Sequence, residues 1–271
     1  KILYTAYIHF YLRVLMPFTV SHMVVAPPLA KLVGQRIPMG AFAIGAMAPD
    51  LYRLFTTETY NLSHQWQGLY TINLAIGLFF CCLWYLLYRP VLFRFLNITD
   101  PLGIRSFTHA CGFILMLCLG IMIGTATHLI WDGLTHLDFR TFAFSDFLGQ
   151  AVTFSNQTYP MHRVLQIGSS VVALPLVIWM VFHYYCKHKQ PLKLNKNTKY
   201  FAIILMLISL LSGYFAYLDY AQGLNIAFAD LDLYAYFSRS INQFATATLI
   251  SFSMGCLVFL ILDYCGLFES N

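Results

Sequence analysis

Five long apolar stretches constrain the fold of this chain more than any other feature of its sequence. Each is long enough to cross the roughly 30 Å hydrocarbon core of a bilayer as a helix. They run approximately over Tyr70–Tyr88, Ala110–Asp132, Leu165–Cys186, Tyr200–Leu218 and Phe244–Leu262. Lipid offers the backbone no hydrogen-bond partners, so a spanning segment has to pair its own N–H and C=O groups, which favours helices. The runs are continuous rather than alternating, which excludes a β-barrel. A composition of 59% hydrophobic and 10% charged residues agrees, and the sequence predicts an all-α, multi-pass membrane helical bundle.

The segment before the first span predicts short helices rather than a further crossing. Two apolar pieces, Met23–Val33 and Met39–Met47, are too short to span and indicate re-entrant or bundle-capping helices. Residues 1–15 lack the small-residue cleavage site of a signal peptide. They are interpreted as an N-terminal extension ahead of Met16.

Residues 16–271 are predicted to form one membrane-embedded helical domain. The distinctive polar motifs all fall within residues 16–179, whereas residues 180–271 contain only generic spans. A functional site is therefore expected in the first of these two parts.

Basic residues in the loops predict the orientation of the chain. Lysines such as Lys187, Lys189 and Lys196 lie between the third and fourth spans, which indicates that this loop is cytoplasmic. The loop that follows the second span, from Gly133 to Val164, then lies on the outer side. We expect a multi-pass protein of the cytoplasmic (inner) membrane, with this loop facing the periplasm or exterior.

One ionisable cluster stands at the outer end of the second span. The stretch His128-Leu-Ile-Trp-Asp132-Gly-Leu-Thr-His136 places two imidazoles and a carboxylate at positions i, i+4 and i+8. On a helix these three side chains face roughly the same way. Ionisable groups at membrane depth are costly, so such a cluster is a functional-site hypothesis by default.

The predicted topology separates the nine histidines of the chain by membrane side. His109 precedes His128 by 19 residues on the same span, or about 28 Å at helical rise, and cannot share its site. Five histidines and two acids remain on the outer side. They are His22, His64, His128, His136 and His162, with Asp50 and Asp132.

Local sequence suggests how the earlier members of this set are presented. Ser21 and Ser63 each precede a histidine and are expected to cap helices. Pro49 is expected to redirect the chain so that Asp50 follows an apolar helix. A histidine and aspartate set without cysteine suits a divalent cation, zinc first and manganese or iron next. A lone His-xxx-Asp pair on an apolar helix is often only a satisfied polar pair, but convergence of the whole set favours a metal.

Several short blocks, taken in order, resemble an uncharacterised bacterial family of multi-pass membrane proteins. The blocks are MPFTVSH (16–22), AIGAMAPD (43–50), SHQWQG (63–68), HLIWDGLTH (128–136) and LQIGSS (165–170). Members of that family carry MPFTxSH, APD, THS and HxxWDxxTH blocks, and the match runs from Met16 to about Trp179. That family is in turn distantly similar to the zinc-dependent phospholipase C and single-strand nuclease group, and to inner-membrane metal-dependent hydrolases.

The resemblance implies a set of metal ligands and a count of one to three zinc ions. By position, the matching residues are His22, Asp50, His64, His128, Asp132 and His136, with Asp132 as a bridge between two ions. His162 matches a later histidine. Gln166 stands where the related enzymes have an acid, which places the third metal in doubt.

The resulting hypothesis is a metal-dependent phosphoester hydrolase at the outer face of the membrane. Asp50 and Asp132 are its candidate catalytic residues, and Arg53, Arg140 and Arg163 are candidates for a phosphate clamp, or else interfacial anchors. A site embedded in the membrane favours a lipid or lipid-linked phosphate as substrate, and no nucleic-acid partner is expected. The alternative is a non-enzymatic metal-binding membrane protein, either a structural or assembly factor or an ion transporter. Transporters usually place their ligands near the membrane midplane, which counts against transport.

Overall fold

The structure, a computed structural model, describes residues 19–56, 61–154, 157–191, 194–223 and 233–268, with the side chains of 157 and 233–239 left aside. The predicted extension 1–15 and Met16 lie outside these residues. The α-helices are α1 (Ala26–Leu32), α2 (Met39–Leu51), α3 (Ile72–Cys82), α4 (Arg89–Leu96), α5 (Phe107–Thr135), α6 (Ser145–Gly149), α7 (Met161–His188), α8 (Lys196–Gly223) and α9 (Leu233–Tyr264). Short 3-10 helices cover Thr19–Val25, Tyr52–Leu54, Asn61–His64 and Trp66–Tyr70, and a π-helix covers Leu83–Tyr88. Strands β1 (Ala151–Phe154) and β2 (Gln157–Pro160) form an antiparallel hairpin.

The all-α prediction is confirmed, and five helical stretches are long and apolar enough to span a membrane. They are Ile72–Leu96, Phe107–Thr135, Met161–His188, Lys196–Gly223 and Ser240–Tyr264. These stretches indicate a multi-pass membrane protein. Which membrane holds it, and in which orientation, stay predictions.

The first span continues past its predicted end at Tyr88. Pro90 follows this end closely, and proline has no N–H to donate to the preceding turn. The π-helix Leu83–Tyr88 nevertheless leads directly into α4, which has Pro90 in its first turn. The helical stretch therefore continues from α3 through the π-helix and α4 to Leu96.

The chain forms two compact units, and each is described by itself. Among the described residues, the site unit comprises those up to Cys81 and those from Gly103 to Phe182, and the second unit comprises Cys82–Leu102 and those from His183 onward. The division into a domain of residues 16–271 with its two parts stays a prediction.

Helices α8 and α9 pack together in the second unit. Its buried core includes Val91, Leu205, Cys256 and Phe259. The Tyr88 hydroxyl group shares a 2.7 Å hydrogen bond with the hydroxyl group of Ser253. Among the described residues of this unit, no group of histidine, cysteine and carboxylate side chains has the spacing of metal ligands.

Close packing of α2 against α5 organises the site unit. Gly45 and Gly124 face the partner helix so tightly that an added Cβ at either position would lie 2.4 Å from a backbone carbonyl oxygen. Only glycine permits this approach. As a result, main-chain carbonyl groups of α2 come within hydrogen-bonding distance of side chains on α5. The two predicted short N-terminal pieces do form helices, α1 and α2, and their placement in a membrane stays a prediction.

Pro49 does not redirect the chain ahead of Asp50, contrary to expectation. Helix α2 runs through Pro49 to Leu51, so Asp50 lies in its last turn. Proline leaves the carbonyl group four residues earlier, that of Gly45, without its helical donor. The hydroxyl group of Thr125 on α5 donates a 3.1 Å hydrogen bond to that carbonyl oxygen. Tertiary contact therefore supplies the partner that the local sequence lacks.

Candidate metal centre

The C-terminal end of α5 presents His128, Asp132 and His136 around one carboxylate. His128 and Asp132 are 1% and 2% exposed. The Asp132 Oδ2 atom lies 3.4 Å from His128 Nε2, and its Oδ1 atom lies 3.5 Å from His136 Nδ1. The helix ends after Thr135, and the N–H group of His136 still donates to the Asp132 carbonyl oxygen at 2.9 Å. The i, i+4, i+8 spacing thus places all three side chains together.

Three earlier segments add their side chains to this cluster. His64 Nε2 lies 3.4 Å from Asp50 Oδ1 and 3.7 Å from Asp132 Oδ2. The ring centroids of His22 and His128 are 4.1 Å apart. Six side chains from four segments therefore converge, although up to 114 positions separate them in the sequence (136 − 22).

Two triads in this cluster have the spacing of metal ligands. One is His22, Asp50 and His128, and the other is His64, His128 and Asp132. In each triad one ligand atom per residue lies within 4.8 Å of the other two. Their role as ligands stays a prediction.

Hydrogen bonds fix the orientation of the two central rings. His128 Nδ1 lies 2.8 Å from the Ala46 carbonyl oxygen. A carbonyl oxygen only accepts, so Nδ1 has a proton and Nε2 is the ring nitrogen that faces the cluster. His64 Nδ1 is 3.0 Å from the Ser63 hydroxyl group. The Nε2 atoms of His64 and His128 are buried and have no hydrogen-bond partner among the described residues.

The two serines act differently from the expected helix caps. Ser21 lies inside the 3-10 helix Thr19–Val25, and its hydroxyl group donates to that of Ser170 at 3.4 Å. Ser63 lies inside the 3-10 helix Asn61–His64 and contacts the ring that follows it. Neither serine begins an α-helix, because both lie inside short 3-10 helices. Ser21 instead braces Ser170, and Ser63 orients the ring of His64.

Burial and neighbouring charges keep His22 and His136 neutral and Asp50 ionised. Burial lowers the pKa of His22 to about 3, with the charge of His128 acting in the same direction. Burial also lowers the pKa of His136 to about 4, against the opposing pull of Asp132. For Asp50, burial acts to raise the pKa, but the approach of His64 and the charge of His128 hold it well below its usual range. The Thr19 hydroxyl group also donates to Asp50 Oδ2 at 3.0 Å. Neutral imidazoles and ionised carboxylates are the forms that bind metals.

The three arginines occupy different surroundings. Arg140 Nη1 donates to Asp132 Oδ2 at 2.9 Å, and Arg140 Nη2 lies 2.5 Å from Asp138 Oδ2. Arg53 is exposed, one turn beyond Asp50. Arg163 Nη1 donates to Gln166 Oε1 at 3.4 Å. The guanidinium group of Arg140 is therefore paired with two carboxylates of the protein.

The structure does not bring His162 into either triad. Its Nδ1 atom lies 3.3 Å from the Leu148 carbonyl oxygen. Gln166, one turn further on, donates from Nε2 to the Thr135 carbonyl oxygen at 3.0 Å. That carbonyl belongs to the last turn of α5, where no helical donor remains. Gln166 therefore supports the end of the helix that presents the cluster.

Sequence reasoning missed two of the groups that shape the site. The Ala46 carbonyl group left no signal in the side-chain pattern, since any residue could provide it. Asp138 had a signal, because it lies two residues before Arg140 in a tight turn where aspartate is favoured. Both groups act on predicted ligands: one holds His128 and the other holds the arginine that contacts Asp132.

Together, these features define a multi-pass helical membrane protein with a buried histidine and aspartate cluster at the end of one span. The chain belongs to the family described as Domain of unknown function (DUF4184), which matches residues 16–263. No curated protein and no solved structure matches the chain.

Proposed function

We propose that the protein is a membrane-embedded, divalent-metal-dependent hydrolase of a phosphoester, acting at the outer face of the cytoplasmic membrane. The observation that most supports a metal is the pair of buried Nε2 atoms of His64 and His128, which lack hydrogen-bond partners among the described residues. Leaving such a group without a partner costs about 1–3 kcal/mol. A bound cation would remove that cost.

The residues fit a metal of borderline character. His22, His64 and His128 offer imidazole nitrogens, and Asp50 and Asp132 offer carboxylate oxygens. This donor set, without thiolates, suits zinc first and manganese or iron next. When bound, such an ion supplies an acidified water and a positive charge for the phosphoryl oxygens.

The two carboxylates have unequal access to solvent, which suggests different roles. The side chain of Asp50 is 17% exposed, whereas that of Asp132 is 3% exposed. The Thr19 hydroxyl group holds one oxygen of Asp50, and the other faces the cluster. Asp50 is therefore the better placed to accept a proton from an attacking water. Asp132, which contacts two histidines and Arg140, serves to hold the cluster together.

A lipid or lipid-linked phosphoester is the substrate class that suits this setting. The proposed ligands lie at the end of a helix that is long and apolar enough to span a membrane, where a headgroup would meet water. Exposed Arg53 lies one turn from Asp50 and is the arginine best able to bind a phosphate. Arg163 is a second candidate. The predicted similarity to zinc-dependent phospholipase C and nuclease enzymes agrees with phosphoester chemistry but does not choose a headgroup.

The test is hydrolysis by the full chain purified in detergent. A chromogenic phosphodiester and a short-chain phospholipid are offered before chelation, after chelation and after zinc is restored. We expect activity that chelation abolishes and zinc restores, and that Asp50→Asn lowers at least about 100-fold. Asp146→Asn, which changes an exposed aspartate of the same unit, is the matched control. Activity that survives chelation, or equal loss in both variants, refutes the proposal.

A purely structural role for the cluster is the second candidate. One observation favours it: the contacts of His64, His128 and Asp132 tie two separate segments, α2 and Asn61–His64, to the end of α5. In that case chelation would leave the unfolding temperature unchanged, while Asp132→Asn would lower it. A protein that chelation destabilises excludes the metal-free version of this role.

A further inference from the structure

The two candidate triads cannot both be complete at once. They share His128. An imidazole nitrogen has one lone pair in the ring plane, and the other nitrogen of His128 is committed to the Ala46 carbonyl oxygen. One ion can bind His128, and a second ion would be left with two ligands from its triad. Because His64 Nε2 lies only 3.4 Å from Asp50 Oδ1, the triads form one continuous ligand set.

A folded turn brings Arg140 to Asp132 Oδ2, the same carboxylate oxygen that lies 3.4 Å from His128 Nε2 and 3.7 Å from His64 Nε2. The Thr141 hydroxyl group donates to the His136 carbonyl oxygen at 2.6 Å, and the Phe142 N–H group donates to the Gly133 carbonyl oxygen at 3.3 Å. The ring of Phe142 packs so closely on Gly133 that an added Cβ there would lie 2.1 Å from it. The turn is therefore fixed against the end of α5.

Arg140 is fixed in the same way at its guanidinium group. Its Nε atom donates to Asp138 Oδ1 at 2.9 Å, and its Nη2 atom lies 2.5 Å from Asp138 Oδ2. This side-on pairing leaves Nη1 to contact Asp132 Oδ2 at 2.9 Å. The guanidinium group of Arg140 thus lies between the carboxylates of Asp132 and Asp138, with His136 beside it. Without the arginine, these surroundings would suit a metal cation.

The charges of the contacting side chains balance one divalent ion. Asp50, Asp132 and Asp138 contribute three negative charges and Arg140 contributes one positive charge, which leaves a net charge of −2. The residues at the positions that the resemblance assigns to a third metal are turned to other partners: His162 to the Leu148 carbonyl group and Gln166 to that of Thr135.

We infer that this centre holds a single divalent ion and that Arg140 takes the place of a second cation, as a positioning residue for Asp132. The inference rests on the proposed metal centre but does not require that the centre hydrolyses anything. It also separates Arg140 from the phosphate-binding role predicted from its position in the sequence.

The first experiment counts metal on the full chain in detergent. After dialysis against zinc and removal of free ions, elemental analysis by mass spectrometry is expected to give one ion per chain. Protein loaded with Mn²⁺ is expected to show the electron paramagnetic resonance spectrum of an isolated ion. Two ions per chain, or a spectrum of two coupled ions about 4 Å apart, would overturn the inference.

The second experiment removes the guanidinium group. Arg140→Ala leaves Asp132, Asp138 and His136 around a vacated position and raises the net charge to −3. We expect this variant to bind a second ion, at least about 10-fold more weakly than the first. Arg140→Lys, which keeps the charge, and the control Arg105→Ala, which removes an exposed arginine of the same unit, are expected to keep one ion. If Arg140→Ala folds and still binds one ion, Arg140 does not stand in for a cation.

The outcomes for the wild-type protein remain decisive if Arg140→Ala fails to fold. No bound metal at all would overturn both this inference and the proposed function. One bound ion without hydrolysis would support the inference and refute the proposed function. Two bound ions with hydrolysis would do the reverse.

Discussion

Gly124 offers a sharp test of how the packing of α2 on α5 controls the candidate ligand His128. An added Cβ at this position would lie 2.4 Å from the Phe42 carbonyl oxygen and 2.7 Å from the Ala46 nitrogen. Both neighbours are backbone atoms of α2, so a side-chain rotation cannot relieve the contact. Restoring an ordinary separation of about 3.4 Å requires α2 to move by about 1 Å.

That displacement is large enough to break the hydrogen bond that orients His128. The distance between its Nδ1 atom and the Ala46 carbonyl oxygen is 2.8 Å, and about 1 Å more leaves no hydrogen bond. For Gly124→Ala, overpacking costs about 1–3 kcal/mol, and the lost hydrogen bond costs about 0.5–1.5 kcal/mol. We therefore expect the free energy of unfolding to fall by about 2–4 kcal/mol. Loss of an orienting partner is also expected to weaken metal binding about 10–100-fold.

The assays are thermal unfolding in detergent and competition for zinc with a chromophoric chelator. Gly112→Ala is the matched control, because Gly112 lies on the same helix and its added Cβ would meet nothing within 4 Å. The control is expected to be neutral or slightly stabilising, since alanine favours the helix. If both variants unfold alike and bind zinc equally, the link between helix spacing and the ring of His128 is refuted.

Three further predictions concern residues around the cluster. Because burial lowers the pKa of His22 to about 3 from 6.5, the unfolded chain takes up the proton first. The stability that neutral His22 contributes is full above about pH 6.5 and is lost as the pH falls towards 3. His22→Gln should therefore flatten the decline in unfolding temperature between pH 7 and 5. An unchanged decline would contradict this prediction. Gln166→Glu should lower the unfolding free energy by about 1–3 kcal/mol, because a carboxylate cannot donate to the Thr135 carbonyl oxygen. Thermal unfolding at pH 8 tests this prediction. Equal or higher stability would contradict it and would identify a partner that binds an acid at this position. His162→Ala should leave zinc affinity within about 2-fold, since its ring contacts the Leu148 carbonyl group; a drop above about 10-fold in the same competition assay would return His162 to the ligand set.

Properties that depend on neighbouring residues along the chain could be predicted from the sequence. The spanning helices follow from apolar length, and the structure confirms them. The arrangement of His128, Asp132 and His136 follows from helical geometry, since one turn separates each from the next. In both cases the information lies within a single segment.

Properties that depend on a distant partner could not be predicted in this way. The continuation of α2 through Pro49 depends on Thr125, 80 residues from the carbonyl group that its hydroxyl satisfies. The contact of Arg140 with Asp132 depends on a turn held by the packing of Phe142 on Gly133. A phosphate clamp was predicted from the position of Arg140, and its pairing with two carboxylates could not be read from that position.

The hydrogen bond from His128 to a main-chain carbonyl group has a consequence for how this site can change. A side chain that orients a ligand can be lost by one substitution, but every residue type at position 46 provides the same carbonyl oxygen. Ala46 is 0% exposed, so substitution there is limited by size and not by chemistry. The alignment of the ring is thus robust to the identity of its partner and sensitive only to the distance between two helices. Any influence that spreads or draws together α2 and α5, including the thickness of the surrounding bilayer, would act directly on this imidazole.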